Sequence, residues 1–259
     1  MLVLIALAVF VTSLPVKATT IKLMSAKNIL GKLKPLGKES YKQMLMRNYG
    51  VKEPCFGVPI GELKKFQKRI KKDYQLALDL YDTGNYDAMY LAGLIADDAR
   101  MTKKDLQRWV GKAYAGSLPG ATVPWVAAGS PHGGELALEW IESNKPLVAT
   151  AGWTTLSSLV SYKDDSELDL AELKRLLSHV QKTIHKAPDG VRYAMNNFVI
   201  AVGSYVQSMT ELAIQTGERI GPLTAHIGNN NCEVFSAPDY IRKVQQRGSI
   251  GKKRKMIKC

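Results

Sequence analysis

Cysteine is scarce in this chain, with Cys55, Cys232 and Cys259 the only three in 259 residues. So few thiols exclude a disulfide scaffold, and without a Cys-x-x-Cys pair neither a zinc ribbon nor a dithiol redox centre is encoded. The four histidines, His132, His179, His185 and His226, do not pair with one another, with cysteine or with an acid at ligand spacing, so no metal site is expected. A GxxxxGK[ST] phosphate loop is also missing. The glycine-rich stretch Gly129-Ser130-Pro131-His132-Gly133-Gly134 lacks the strand-then-helix context that such a loop needs, and no cofactor is expected. Ser157, Ser158 and Ser161 have no base nearby and read as packing or solvent-facing residues. Acids are in deficit. Asp and Glu number 23 against 36 Lys and Arg, a net charge of +13 that favours a polyanionic partner, nucleic acid before an acidic membrane surface.

Long hydrophobic runs are missing too. The longest, Leu2 to Leu14, has 13 residues and stops at Pro15. As a helix it would span about 20 Å, short of the roughly 30 Å of a bilayer core, so no membrane span is expected. The run fits the apolar region of a signal peptide, with Val16-Lys17-Ala18 as a small-residue cleavage site, although no positive charge precedes it. It fits equally an upstream extension with initiation at Met24, where Ser25 would cap a helix over AKNILGKL. The chain is therefore divided into an extension at 1–23, a helical domain at 24–221, and a carboxy-terminal extension at 222–259 that ends in a basic tail. A cytoplasmic monomer is expected, or an exported one if residues 1–18 are a signal.

What is present is mostly helical pattern. Glu62 to Lys72 carries Leu63, Phe66 and Ile70 as a stripe at 3 and 4 spacing. Similar patterns run over Leu76–Tyr81, Tyr86–Ile95, Lys103–Lys112, Leu136–Ser143, Leu147–Val160, Leu168–His185, Val191–Val206 and Thr210–Ile220. Breakers such as Asp82-Thr83-Gly84-Asn85 separate them, and Asp169 and Pro188 stand where helix starts want a cap or an early proline. The one strand signal lies around Leu223–Ile227 and Cys232–Phe235, flanking Gly228-Asn229-Asn230-Asn231, where a small hairpin is expected. About ten short helices joined by short loops predict an all-α fold, a solenoid or bundle.

The cations are concentrated. Lys64, Lys65, Lys68, Arg69, Lys71 and Lys72 lie away from the Leu63/Phe66/Ile70 stripe, and the last 19 residues hold eight more cations and no acid. Each run alone reads as a solvated face or tail; together with the overall excess they point to phosphate contact. Trp109, Trp125, Trp140 and Trp153 fall in one 45-residue window, either packing between helices or offering flat faces to a groove.

Three segments carry a family resemblance. Tyr41 to Val51 followed by Phe56-Gly57-Val58-Pro59-Ile60-Gly61-Glu62-Leu63-Lys64-Lys65, then Glu139 to Lys145, then Val191 to Val199, resemble in order and spacing the DNA alkylation repair family of AlkD-like glycosylases. The resemblance covers roughly residues 27 to 215 and looks closest to a divergent branch with a basic carboxy-terminal extension. It implies a curved, right-handed superhelix of HEAT-like helical repeats whose concave basic face grips duplex DNA. In active members it also implies a Trp-x-x-x-Asp element, an Arg on the next helix that holds phosphate, and a later Trp. These hydrolyse the N-glycosidic bond of cationic alkylpurines without drawing the base into a pocket.

The match departs from the family at the chemistry. Trp125 is the counterpart of the first Trp, but Gly129 follows where Asp belongs; Trp109 is followed by Ala113 at that spacing. Thr150 stands for the phosphate-holding Arg and Asn197 for the later Trp. A glycine cannot stabilise an oxocarbenium ion, and a threonine hydroxyl cannot replace a bidentate guanidinium. Trp125 and Glu135, with Glu139 as an alternative carboxylate, are the remaining catalytic candidates. The resemblance and the charge distribution together predict nucleic-acid contact by Arg47, Lys64, Lys65, Thr150, Arg192, Tyr193, Asn197, Lys252, Lys253, Arg254 and Lys255. The competing reading is a non-catalytic helical-repeat scaffold for an acidic protein or nucleic-acid partner; a basic groove favours DNA, an apolar one favours protein.

Overall fold

The structure, a computed structural model, describes residues 25–226 and 234–258. These form thirteen α-helices: α1 (Ala26–Leu33), α2 (Glu39–Tyr49), α3 (Ile60–Ile70), α4 (Tyr74–Asp82), α5 (Tyr86–Ile95), α6 (Lys103–Lys112), α7 (Val123–Gly129), α8 (Gly133–Ile141), α9 (Pro146–Tyr162), α10 (Leu170–Thr183), α11 (Asp189–Tyr205), α12 (Thr210–Ile220) and α13 (Ala237–Gln246). No strand occurs among the described residues. The turn of the expected hairpin lies outside them, and the flanking residues 221–226 and 234–236 are irregular. The apolar run at 2–14 also lies outside them.

Local chemistry sets the helix boundaries. Ser25, Asp73, Asn85, Thr102, Asp169 and Ser236 each accept a hydrogen bond from a backbone N–H in the first turn of the helix that they cap. Asp164 and Glu167 form a capping box on the short turn before α10. The α9 and α8 helices approach closely because Gly152 has no side chain; a Cβ there would lie 2.8 Å from the Ile141 nitrogen and 3.0 Å from the Ala137 oxygen.

The buried apolar residues form two clusters, one built on α1 to α7 and the other on α9 to α13. They meet at the α8/α9 pair: Trp140 and Ala151 belong to the first, Ile141 and Trp153 to the second. Helix α9 packs against α7, α8 and α11, and α11 in turn against α12 and α13, so each helix has partners on two sides, as in a stacked array. All four tryptophans belong to this interior, Trp125 with an edge on a cavity wall. Trp109 stacks on Tyr81 at 4.0 Å, the Trp140 indole N–H donates to Gln107 at 3.0 Å, and Trp153 packs on Phe198 at 5.3 Å.

Asp87 on α5 is fully buried and holds the segment before α3 in place. It accepts from the backbone N–H groups of Phe56, Gly57 and Val58 at 2.6, 3.2 and 2.8 Å. That contact explains why the Phe-Gly-Val-Pro run has a fixed course into α3. The Cys55 thiol beside it is buried, and burial together with the Asp87 charge pushes its pKa up to about 12, so it is an inert core thiol.

Candidate functional site

The basic tail is not a free appendage. After α13 the chain turns back across the helices as a strap. The Gly251 N–H donates to the Ser204 carbonyl on α11 (3.0 Å), and the Arg254 N–H to the Ser161 carbonyl on α9 (2.8 Å). The Lys253 ammonium sits 2.8 Å from Asp165 and 2.9 Å from the Val160 carbonyl. Ile257 packs on the first core, and Lys258 reaches the segment after α5, 2.7 Å from Asp98 and 2.9 Å from the Ala96 carbonyl. The tail cations therefore divide in two: Lys253 and Lys258 are anchors, while Lys252 and Lys255 project into solvent. Arg254 lies over the Tyr205 ring and donates to its hydroxyl at 3.1 Å.

The Asp98–Lys258 pair is mostly buried, with side chains 14 and 15% exposed. Burial pushes the Asp98 carboxyl above its ordinary range and the Lys258 ammonium below its own, and each charge partly offsets the shift of the other. This pair lies beside Gly129, the position at which the resemblance implies an aspartate in active members. A Cβ on Gly129 would sit 2.5 Å from Asp98 Oδ2. The space beside the last turn of α7 is thus filled by a carboxylate from another segment, already neutralised by the tail.

The strap forms part of two cavities. On one side lies a trough of about 960 Å³, lined by Lys64, Lys68, Lys71 and Lys72 from α3 and its end, Lys163, and Lys255 and Lys258 from the tail. Lys64, Lys68, Lys71 and Lys255 have no ion-pair or hydrogen-bond partner among the described residues, and Lys72 and Lys163 have acids only at 3.9 Å. Lys71 adopts a positive φ of 65° just past the end of α3. On the other side lies a cavity of about 670 Å³ between α9, α11 and α13, with aromatic walls that include Trp125, Tyr193, Tyr205 and Tyr240.

The remaining site candidates fall into place as follows. Trp125 and the pair Tyr193 and Asn197, from α7 and α11, line the aromatic cavity together with Lys252 and Arg254. Lys64 lines the trough, whereas Lys65 pairs with Glu62 at 2.8 Å and does not. Arg47 is exposed at the end of α2, where its Nε donates to Asn48. Thr150, near the start of α9, lines neither cavity. Arg192 donates to Asp189 and to the carbonyls of Ile184, His185, Ala187 and Thr224, so its guanidinium is consumed in tying together the ends of α10, α11 and α12. Glu135 is exposed and lines neither cavity. Its 2.6 Å contact with Lys103 holds its carboxyl below the usual range, and Glu139 accepts from Gln107 at 2.8 Å. Both are helix-surface acids.

Sequence reasoning missed Asp98, Lys258 as an anchor, and the aromatic side chain Tyr240. It read Ser157, Ser158 and Ser161 as packing or solvent-facing residues without assigning them a site, and all three line the aromatic cavity. Their hydroxyls donate to helix carbonyls at 2.9 Å, which leaves oxygen lone pairs toward the space. A Ser-Ser-x-x-Ser spacing on one helix face was the available signal. Among the described residues, no group of three or more histidine, cysteine or acidic side chains could hold a metal ion, and no helix is long and apolar enough to cross a membrane.

Residues 29–227 match the family described as DNA alkylation repair enzyme. The chain is 29% identical over 209 residues to the uncharacterized proteins Lin0241 of Listeria innocua and Lmo0209 of Listeria monocytogenes, covering 78% of this chain and 90% of each relative. A solved structure, from what is described as a new family of proteins related to the HEAT-like repeat DNA glycosylases with affinity for branched DNA structures, superimposes with a TM-score of 0.84. It shares 35% identity and covers 91% of this chain and all of its own. The helical array is thus a HEAT-like repeat fold, and the chain belongs to the DNA alkylation repair enzyme family.

Proposed function

We propose that this protein binds DNA, branched DNA in preference to a simple duplex, and that it does so without hydrolysing glycosidic bonds. The observation that carries the reading is the trough: four unpartnered lysines from two distant parts of the chain line one groove. Lysines without acid partners are free to neutralise phosphates and release their counterions. An acidic protein would also meet positive charge there, and Leu94, Ala99, Tyr162, Met256 and Ile257 add apolar surface of the kind that protein interfaces use; the unpartnered lysines and the described affinity of the related structure favour DNA. The described affinity of the related structure for branched DNA supports the choice of a branched partner.

The binding reading is favoured over a glycosylase because the two carboxylates that line the trough are both engaged: Asp98 is paired with Lys258, and Glu167 accepts from the Asp164 N–H and lies 3.9 Å from Lys163. Position 129 is glycine, and Glu135 is paired with Lys103 outside both cavities. An oxocarbenium-like transition state would lack a dedicated carboxylate beside Trp125 to stabilise it.

The test is affinity for a three-way junction and for a duplex of equal length, titrated between about 50 and 200 mM salt, alongside release of methylated purines from alkylated duplex. Tighter junction binding, a steep loss with salt and no base release are expected. Salt-independent affinity would overturn the DNA reading, and base release would overturn the non-catalytic one.

A further inference from the structure

The aromatic cavity shares no lining residue with the lysine trough, and its chemistry is specific. Its volume of about 670 Å³ is that of a small-molecule site, which runs from about 300 to 1,000 Å³. Trp125, Tyr193 and Tyr240 contribute flat faces or edges, and Phe235, 52% exposed, stands 5.9 Å from the Tyr240 ring at the mouth. An exposed pair of rings is costly to leave in water and well suited to stack on another flat apolar face. The polar groups around them are unused. The side chains of Tyr193, Asn197, Tyr240, Arg247 and Lys252 have no hydrogen-bond or ion-pair partner among the described residues. Ser204, 4% exposed in the wall beneath the strap, has a buried hydroxyl with no partner among the described residues.

Among the described residues no aspartate or glutamate lines this cavity, while Arg247, Lys252 and Arg254 do. Those three cations select a ligand with an anionic group. A flat face, an amide to meet a base edge, hydroxyls for a sugar and two free cations for a phosphate describe one nucleotide.

We propose that this cavity receives a single unpaired nucleotide of the DNA whose paired arm lies in the lysine trough. This rests on the DNA-binding reading above and adds to it a site for the base. In a duplex the base faces are stacked inside the helix and out of reach; at a branch point an unpaired base can present its face to Phe235 and Tyr240 and its edge to Asn197. Where the family resemblance implies recognition without a base pocket, this chain has built one from α13 and the strap, both parts of its carboxy-terminal extension.

The experiment uses the full chain with a junction carrying one 5-iodo-2′-deoxyuridine, placed either unpaired at the branch point or paired within an arm. After irradiation, the cross-linked peptides are mapped. Strong cross-linking to the peptides that hold Tyr193, Phe235 or Tyr240 is expected from the unpaired position, and about tenfold less from the paired one. Tyr240→Ala and Phe235→Ala, both at exposed positions, should each lower the ratio of affinities for junctions with and without the unpaired nucleotide about tenfold, the scale of one base–aromatic stack. Equal cross-linking from both positions, cross-links mapped elsewhere, or an unchanged ratio in both variants would each overturn the pocket. Failure of the DNA reading looks different: neither junction nor duplex binds at low salt.

Discussion

At the scale of single residues, Asp98 and Lys258 decide most. They are 160 positions apart, and together they close the end of the strap in the space that Gly129 leaves open. Removing one partner of such a pair leaves a buried charge without compensation. Lys258→Met is expected to lower unfolding free energy by about 3 kcal/mol in urea titration at neutral pH. Lys258→Met with Asp98→Asn should recover most of that loss, since a neutral amide needs no counter-ion. The pH dependence has a definite sign. Burial raises the folded-state pKa of Asp98, so the folded protein binds that proton more tightly than the unfolded chain. In Lys258→Met the raising is stronger, and the penalty should shrink as pH falls through the Asp98 pKa. A penalty that grows with acidity would show that the pair does not hold the strap.

At the scale of elements, α3 separates its cations by position. Leu63, Phe66 and Ile70 turn inward, Lys64 and Lys68 face the trough, and Lys65 is bound to Glu62. Lys64→Glu with Lys68→Glu should weaken DNA binding and make the slope of log affinity against log salt shallower by about two, one for each phosphate that no longer meets a lysine. Lys65→Glu should change that slope by less than half as much, and none of the three touches the buried stripe, so thermal melting should be nearly unchanged. Equal effects from Lys65 and Lys68 would mean that DNA does not lie in the trough. Helix α13 shows what was legible at this scale and passed over. Ser236 caps it, Pro238 opens it and Ile241 is fully buried against α11 and α12. All three signals are in the sequence, but the asparagine-rich turn before it pointed to a strand, and the cations after it to a tail.

At the scale of the whole molecule, the strap joins the second core back to the first. Its anchoring amides, Gly251 and Arg254, should exchange with deuterium more slowly than that of Lys255, and Lys258→Met should speed both; exchange at free-peptide rates across 251–258 would contradict a docked strap. Most of the helices (α2, α7 and α13 excepted), many of their boundaries and the charge imbalance were determined by the sequence alone, because periodicity, capping and composition are local properties. Gly129 at the position where the resemblance implies an aspartate was legible too, since it stands four residues after Trp125. Only the tertiary structure decided that all four tryptophans are core and that one of them, Trp125, also lines a cavity, which tail lysines are anchors and which are free, and that Arg192 is occupied by carbonyls. A lysine's charge is written in the sequence, but whether an acid or solvent meets it depends on segments up to 160 residues away, and that pairing exists only once the helices have stacked.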